Sequence, residues 1–160
     1  RIQGLVERLC RRYGRRLRGG GEHYAFPQPA ALAAAQEADL RTLGMGYRAP
    51  YVRDTAAAIA GGYDLAALRT LPYEQAKRQL RAVPGVGPKV ADCVLLFSLG
   101  FSQAFVQDVW INRVLDQVYN ACGDAAARDR VKVQFGPNAG ILQQYMFYFA
   151  RAKGKVGLAG

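Results

Sequence analysis

The stretch that decides the fold is LRAVPGVGPKVADC, residues 80–93. Apolar residues recur with helical spacing on both sides of it, and two glycines bracket a valine at its centre. Because glycine has no Cβ, the backbone N–H groups of such a loop can approach an anion closely. The pattern predicts a helix-hairpin-helix over about residues 73–99. We expect Val86 to fill the core between the two helices, and Gly85 and Gly87 to face a phosphate.

A lysine and an aspartate follow this loop at informative positions. Lys89 comes directly after the helix-starting Pro88, where the helix dipole and partial desolvation would favour loss of its proton. Such an amine is a candidate nucleophile, and the alternative is a lysine that only contacts phosphate. Asp108, nineteen positions later, stands at the start of the next helical pattern. It is either an N-cap, a carboxylate that stabilises a developing cation, or both.

The composition indicates a folded chain with a polyanionic partner. The chain has 160 residues and 51% apolar content, enough for one domain or two small lobes with a buried core. Its 22 lysines and arginines against 12 aspartates and glutamates give a net charge of +10, which favours nucleic acid as the partner. Six of the eleven residues 8–18 are arginine, although such a run by itself is also typical of a solvated helix face.

The three cysteines include no C-x-x-C pair, so we predict no disulfide, zinc or iron–sulfur site, and a reducing intracellular compartment. No apolar run is long enough for a membrane span and no signal peptide opens the chain, so we expect a soluble, unsecreted protein without a membrane partner. The lone His23 is interpreted as a surface or structural residue. The chain starts at Arg1-Ile2 inside a helical pattern and without an initiator Met, which suggests a fragment.

Helical periodicity continues through most of the chain, and no strand pair is convincing. The predicted fold class is all-α, a two-lobed helical bundle with the seam between its lobes near Gly61-Gly62. Residues 130–135 alternate like a strand, but their helical neighbours favour a helix. Tyr24, Phe26, Pro27 and Pro29 are expected to pin a loop to the core.

Residues 83–93 together with Asp108 resemble the helix-hairpin-helix/Gly-Pro-Asp superfamily of base-excision DNA glycosylases, and within it the 8-oxoguanine DNA glycosylases. Further similar stretches lie at residues 1–10, 43–49 and 135–147. The resemblance implies one helical glycosylase domain over residues 1–160, acting as a monomer on double-stranded DNA that contains a damaged base. The resemblance implies that no cofactor is required and that the hairpin loop can bind a structural cation.

The resemblance also implies roles for individual residues. Lys89 would attack the anomeric carbon of the damaged nucleotide and form a Schiff base, with Asp108 assisting. Cys93 and Phe147 would face the two sides of the extruded base, and Gln143 would hydrogen-bond its Watson–Crick edge. Without the resemblance, the cysteine and the phenylalanine are ordinary core positions, whereas a buried glutamine amide needs a partner.

Further residues are implied at the DNA itself. Tyr47 and Arg48 would fill the gap left by the flipped base and read the opposite cytosine, and Arg1 would lie at the same base. Without the resemblance, Tyr47 and Arg48 are an ordinary turn pair. Val90 would join the hairpin glycines at the phosphate backbone.

The chain departs from the family pattern in several places. Val106-Gln107 precede Asp108 where the family usually shows Pro-Val, which alters the expected pose of the carboxylate. Trp110 stands where some relatives have a histidine, and we expect its indole N–H to replace a phosphate contact. The family's N-terminal β-rich domain has no counterpart in this sequence. The cysteine set of the endonuclease III branch is also missing, which argues against an iron–sulfur cluster.

The leading hypothesis is a bifunctional glycosylase and β-lyase that removes 8-oxoguanine opposite cytosine through Lys89. A catalytically weak helix-hairpin-helix DNA-binding module is the alternative from another class, and a glycosylase for another base lesion is the third hypothesis. A repair role would place the protein in the cytoplasm or nucleoid of a bacterium, or in the nucleus of a eukaryote.

Overall fold

The computed structural model describes residues 2–19 and 21–153, so the predicted contact of Arg1 lies outside the described residues. Within them the fold is helical, and the only β-type pairing is an isolated bridge between Arg16 and Tyr24. The all-α prediction is confirmed. The α-helices are α1 (Ile2–Tyr13), α2 (Pro29–Ala33), α3 (Glu37–Leu40), α4 (Ala49–Ala60), α5 (Tyr73–Arg81), α6 (Pro88–Phe97), α7 (Val109–Val118), α8 (Ala125–Phe135) and α9 (Ala139–Lys153).

The described residues form two compact units. The first runs through Leu65 and takes in Ala82–Gly85, and the second takes in Ala66–Arg81 and continues from Val86. The seam expected near Gly61-Gly62 stays a prediction. None of the described helices has the length and hydrophobicity needed to cross a membrane.

The core of the first unit forms where the short helices α2 and α3 pack with α1 and α4. α1 contributes Leu9 to this cluster, and the opposite face of the helix carries its arginines. Arg8 Nε donates a hydrogen bond of 2.9 Å to the carbonyl of Leu43, which ties α1 to the turn that precedes Tyr47. Phe26 is 59% exposed, so the expectation that it pins its loop to the core is wrong. The buried members of the cluster are Leu9, Leu32, Ala35, Leu40, Met45, Ala49 and Ala56.

The core of the second unit is built from α7, α8, α9 and the loop before α7. The ambiguous residues 130–135 lie in α8, so the helical interpretation is confirmed. Gly140 lets α9 begin against the 101–104 loop, since a Cβ there would overlap the carbonyl oxygen of Ala104. Its N–H donates to the carbonyl of Ser102 at 2.7 Å. The buried members are Phe105, Ile111, Leu115, Ala121, Ala127, Val131 and Ala139.

Candidate active site

The first half of the hairpin loop is held by α4. Gly85 has a φ of +80°, which L side chains rarely adopt, and a Cβ there would overlap the ring of Tyr51. The hydroxyl of Thr55 donates to the carbonyl of Pro84 at 3.4 Å. Gly85 is therefore required by the fold of its own unit, in addition to any role at a phosphate.

The valine buried in the loop is not the expected one. Val83 is 8% exposed, whereas Val86 is only half-buried, so the prediction that Val86 fills the core is wrong. Val83 belongs to the first unit and Val86 to the second.

The second half of the loop is open. Gly87 is the N-cap of α6 with φ −79° and ψ 176°, and a Cβ there would meet no atom within 4 Å. No side chain caps the helix, and Val90 in the first turn is 46% exposed. N–H groups at the start of a helix that have no internal partner are suited to bind an anion. This half of the loop therefore fits the predicted phosphate contact.

Lys89 borders a cavity of about 820 Å³ inside the second unit. Lys77 and Lys132 line the same cavity, and each pairs with a carboxylate at 2.9 Å: Asp92 for the first and Asp129 for the second. Among the described residues, no carboxylate forms an ion pair with Lys89. Its side chain is exposed, so the expected partial desolvation is wrong.

One turn after Lys89, Asp92 forms a buried polar network that sequence reasoning missed. The carboxylate accepts a hydrogen bond from Tyr73 Oη at 2.8 Å and from Lys77 Nζ at 2.9 Å. Burial and this hydrogen bond raise the pKa of Tyr73 well above its usual range. The network joins α5 to α6. The signal for this network in the sequence was an aspartate among the apolar residues of α6.

Cys93 is half-buried on α6 and stays in its neutral form near pH 7. Burial raises the pKa of its thiol, the Lys89 ammonium opposes that rise, and the Asp92 and Asp108 carboxylates add to it. The Lys89 and Asp108 charges thus both act on Cys93, although neither Cys93 nor Asp108 lines the cavity that Lys89 borders. A neutral thiol is suited to contact a base and is a poor nucleophile.

Asp108 is the N-cap of α7, which is one of the roles that the sequence left open for it. Its Oδ1 accepts a hydrogen bond of 2.9 Å from the backbone N–H of Ile111. The preceding Gln107 donates a hydrogen bond of 2.8 Å to the side chain of Asn112, a pairing that sequence reasoning did not anticipate. The cap does not exclude a catalytic role, since a carboxylate has a second oxygen.

The two candidate base-recognition residues of α9 differ in burial. Gln143 is 1% exposed, and its Oε1 accepts a hydrogen bond of 2.6 Å from Gln144. The prediction that this amide needs a partner if buried is confirmed. Phe147 is half-buried against the core of the second unit, with the guanidinium of Arg151 6.0 Å from its ring centroid. The roles of both residues at a base stay predictions.

Two cation–π pairs include predicted DNA-contacting residues: an exposed pair at Tyr47 and a pair at Trp110, whose ring is half-buried. In the first unit, the Arg48 guanidinium lies 4.4 Å from the ring centroid of Tyr47, which is 64% exposed. In the second unit, Arg113 lies 5.0 Å from the ring centroid of Trp110. Sequence reasoning missed Arg113, although its spacing of three residues from Trp110 places both on one helix face.

Among the described residues, no three His, Cys, Asp or Glu side chains are grouped so that they could hold a metal ion. The sequence-based expectation of no required cofactor stays a prediction, and so does a cation bound by the hairpin loop.

Comparison with known proteins identifies the family. The chain matches the family model of HhH-GPD superfamily base excision DNA repair proteins over residues 1–134. A probable N-glycosylase/DNA lyase of Methanothermobacter thermautotrophicus is 32% identical over 93% of this chain and 55% of that protein.

Two solved structures have similar folds. One is the Clostridium acetobutylicum 8-oxoguanine glycosylase/lyase in complex with double-stranded DNA containing cytosine opposite 8-oxoguanine. It matches with a TM-score of 0.88 and 32% identity, over 96% of this chain and 54% of that one. The other is a 3-methyladenine DNA glycosylase from Archaeoglobus fulgidus, which matches with a TM-score of 0.72 and 26% identity, over 93% of this chain and 52% of that one.

The chain thus spans about half the length of these relatives. The family model covers more than half of the chain, including the hairpin, Lys89 and Asp108. The chain therefore belongs to the helix-hairpin-helix/Gly-Pro-Asp superfamily of base-excision DNA repair proteins.

Proposed function

We propose that the chain is a base-excision DNA glycosylase with β-lyase activity that removes 8-oxoguanine opposite cytosine through a Schiff base on Lys89. The observation that carries the proposal is the pairing of the cavity lysines, because Lys77 and Lys132 are bound to carboxylates and Lys89 is not, among the described residues. A nucleophilic amine must give up its proton, and a carboxylate partner opposes that loss. Lys89 is therefore the lysine suited to attack.

The proposed reaction begins when the Lys89 amine bonds to the anomeric carbon and the N-glycosidic bond breaks, with its electron pair leaving on the base. The Asp108 carboxylate stabilises the positive charge that develops on the sugar. Opening of the sugar ring gives the Schiff base. A base then removes a C2′ proton, the C3′–O bond breaks as the 3′ phosphate leaves with the electron pair, and hydrolysis of the Schiff base by water releases the Lys89 amine.

The damaged base would be recognised by the Cys93 thiol, the Phe147 ring and the Gln143 amide. A neutral Cys93 thiol contacts one face of a purine without a charge to desolvate, and Phe147 supplies an aromatic surface for the other. The hydrogen bond from Gln144 fixes the amide of Gln143, so its orientation is set before a base arrives. The Clostridium acetobutylicum relative with cytosine opposite 8-oxoguanine supports this choice of lesion and partner base.

Duplex DNA would be held through its backbone and at the vacated base position. The open N-terminus of α6 at Gly87 offers uncapped N–H groups to a phosphate, and the net charge of +10 favours the polyanion. Tyr47 and Arg48 present a stacked, exposed pair large enough to fill a gap in the duplex. We assign Trp110 and Arg113 to a further phosphate, through the indole N–H and the guanidinium.

The test is borohydride trapping across a panel of duplexes: 8-oxoguanine opposite each of the four bases, 3-methyladenine, and undamaged DNA. We expect a covalent complex and strand cleavage with 8-oxoguanine opposite cytosine, and loss of both in Lys89→Gln. Lys132→Gln is the matched control, since it removes a paired lysine from the same cavity.

Each other outcome selects a different function. Excision of 3-methyladenine in place of 8-oxoguanine would replace the proposed substrate, and the similarity to the Archaeoglobus fulgidus enzyme makes that lesion the second candidate. Tight duplex binding without excision of any lesion would indicate a DNA-binding module. Trapping that survives Lys89→Gln would refute the assigned nucleophile.

A further inference from the structure

We propose that Gln107 and Asn112 form a clamp that positions the Asp108 carboxylate. The clamp rests on the proposed function, because it matters for the reaction only if Asp108 acts on the sugar. Both members are positioning residues, since neither is assigned a contact with DNA.

Two hydrogen bonds connect Asn112 to Asp108, the N-cap of α7, and to the residue before it. Gln107 Nε2 donates to Asn112 Oδ1 at 2.8 Å, and the backbone N–H of Asn112 donates to the carbonyl oxygen of Asp108 at 2.8 Å. Asp108 therefore lies inside a loop of contacts that begins at the residue before it and returns at the first turn of α7. Rotation of Asp108 relative to the helix would break one of these bonds.

The ends of the clamp are anchored in the core of the second unit. Val106, just before Gln107, is 5% exposed, and Ile111, just before Asn112, is fully buried. The Ile111 N–H is also the donor to Asp108 Oδ1. With both flanks fixed, the Gln107–Asn112 bond sets the angle at which the chain enters the helix, and with it the direction of the carboxylate.

One member of the clamp, Gln107, lies where the chain departs from the family pattern, with Val106-Gln107 in place of Pro-Val. A proline at position 106 would fix φ there, and Val106 supplies no such restraint. A side-chain hydrogen bond between the loop and α7 supplies an equivalent restraint by different chemistry. Gln107 and Asn112 also line the cavity that Lys89 borders, so the clamp lies beside the proposed nucleophile.

The variants are Gln107→Leu, Asn112→Leu and the swap Gln107→Asn with Asn112→Gln, which retains an amide pair. Gln103→Leu is the matched control, because Gln103 lines the same cavity and makes no side-chain hydrogen bond to the described part of α7. We expect each leucine variant to lower the single-turnover excision rate about tenfold while the duplex Kd stays unchanged. The swap should retain the rate within about threefold.

A cycle with Asp108→Asn separates positioning from a general structural effect. In that background, Gln107→Leu should cause no further loss of rate, since there is no carboxylate left to position. An equal loss in both backgrounds would overturn the proposal.

A second readout does not depend on activity. Hydrogen exchange of the Ile111 amide, which is bonded to Asp108, should be about tenfold faster in Gln107→Leu than in the wild type or in Gln103→Leu. Unchanged exchange would overturn the clamp even if the wild type excises 8-oxoguanine. Faster exchange in a wild-type protein that excises no lesion would support the clamp and refute the proposed function, so the two failures are distinguishable.

Discussion

Lys89 and Asp92 lie one turn apart on α6, and their surroundings are opposite. Asp92 is 6% exposed and bonded to both Tyr73 and Lys77, whereas Lys89 is exposed and has no carboxylate partner among the described residues. In the turn at Asp92, here called the inner turn, hydrogen bonds satisfy the polar side chains and fix the helix. In the turn at Lys89, the outer turn, the lysine and the N–H groups of the helix N-terminus remain for a DNA substrate to engage.

Lys89→Gln should give the largest effect, on activity alone. Loss of the amine is expected to reduce lesion excision by about three orders of magnitude or more. The free energy of unfolding should change by less than about 0.5 kcal/mol, because the side chain is exposed and forms no ion pair within the described part of the chain. Single-turnover kinetics and urea denaturation check the two parts. A large loss of stability would contradict the contrast between the two turns.

Lys77→Met should give the reverse result, with its main effect on stability. The substitution leaves the Asp92 carboxylate buried without its cation, and we expect the free energy of unfolding to fall by about 2 kcal/mol. This value is below the range for fully buried pairs because the Lys77 side chain is 22% exposed. In Lys132→Met the loss should be much smaller, since Asp129 is 70% exposed and solvent screens its pairing. Equal losses of unfolding free energy in the two variants would show that the burial of Asp92 does not increase the cost of removing its lysine partner.

Tyr73 makes the inner turn sensitive to alkaline pH. Its folded pKa is raised above the unfolded value near 10.0, so the unfolded state ionises first and stability falls as the pH rises above 10. The contribution of this one group is about 1.4 kcal/mol per pH unit in that range. Urea midpoints of the wild type and Tyr73→Phe, measured from pH 8 to 11, should show a shallower decline in the variant. Parallel curves would contradict the raised pKa.

The two hairpin glycines should respond differently to alanine, and Gly87→Ala should have the smaller effect on stability. Gly87→Ala should leave stability within about 0.5 kcal/mol, because its backbone angles suit alanine and its Cβ meets nothing. It should weaken duplex binding about fivefold by obstructing a phosphate at the α6 N-terminus. Gly85→Ala should instead lose about 2 kcal/mol of stability through its positive φ and Tyr51. Fluorescence anisotropy with a labelled duplex measures the affinity, and unchanged binding in Gly87→Ala would argue against the phosphate contact.

Features set by local spacing were predicted from the sequence. A cap at Asp108 was one of the predicted alternatives because the residue directly precedes a helical pattern, and the need of Gln143 for a hydrogen-bond partner if buried was predicted because its amide lies beside apolar helix residues. Each of these inferences needs only the chain within a few residues of the site.

Features set by packing were not predicted. Lys77 and Asp92 are fifteen residues apart on different helices, so their pairing depends on the packing of α5 against α6. The choice between Val83 and Val86 depends on the path of the loop between those helices. The exposure of Lys89 could not be predicted either, because the dipole argument gives the charge environment of a helix end and not its accessibility.

The most direct test of the account is to identify the lysine that becomes linked to DNA. Borohydride trapping on 8-oxoguanine DNA, followed by proteolysis and tandem mass spectrometry, should place the adduct on Lys89 and on neither Lys77 nor Lys132. An adduct on either of those paired lysines would contradict the claim that an amine without a carboxylate partner is the nucleophile.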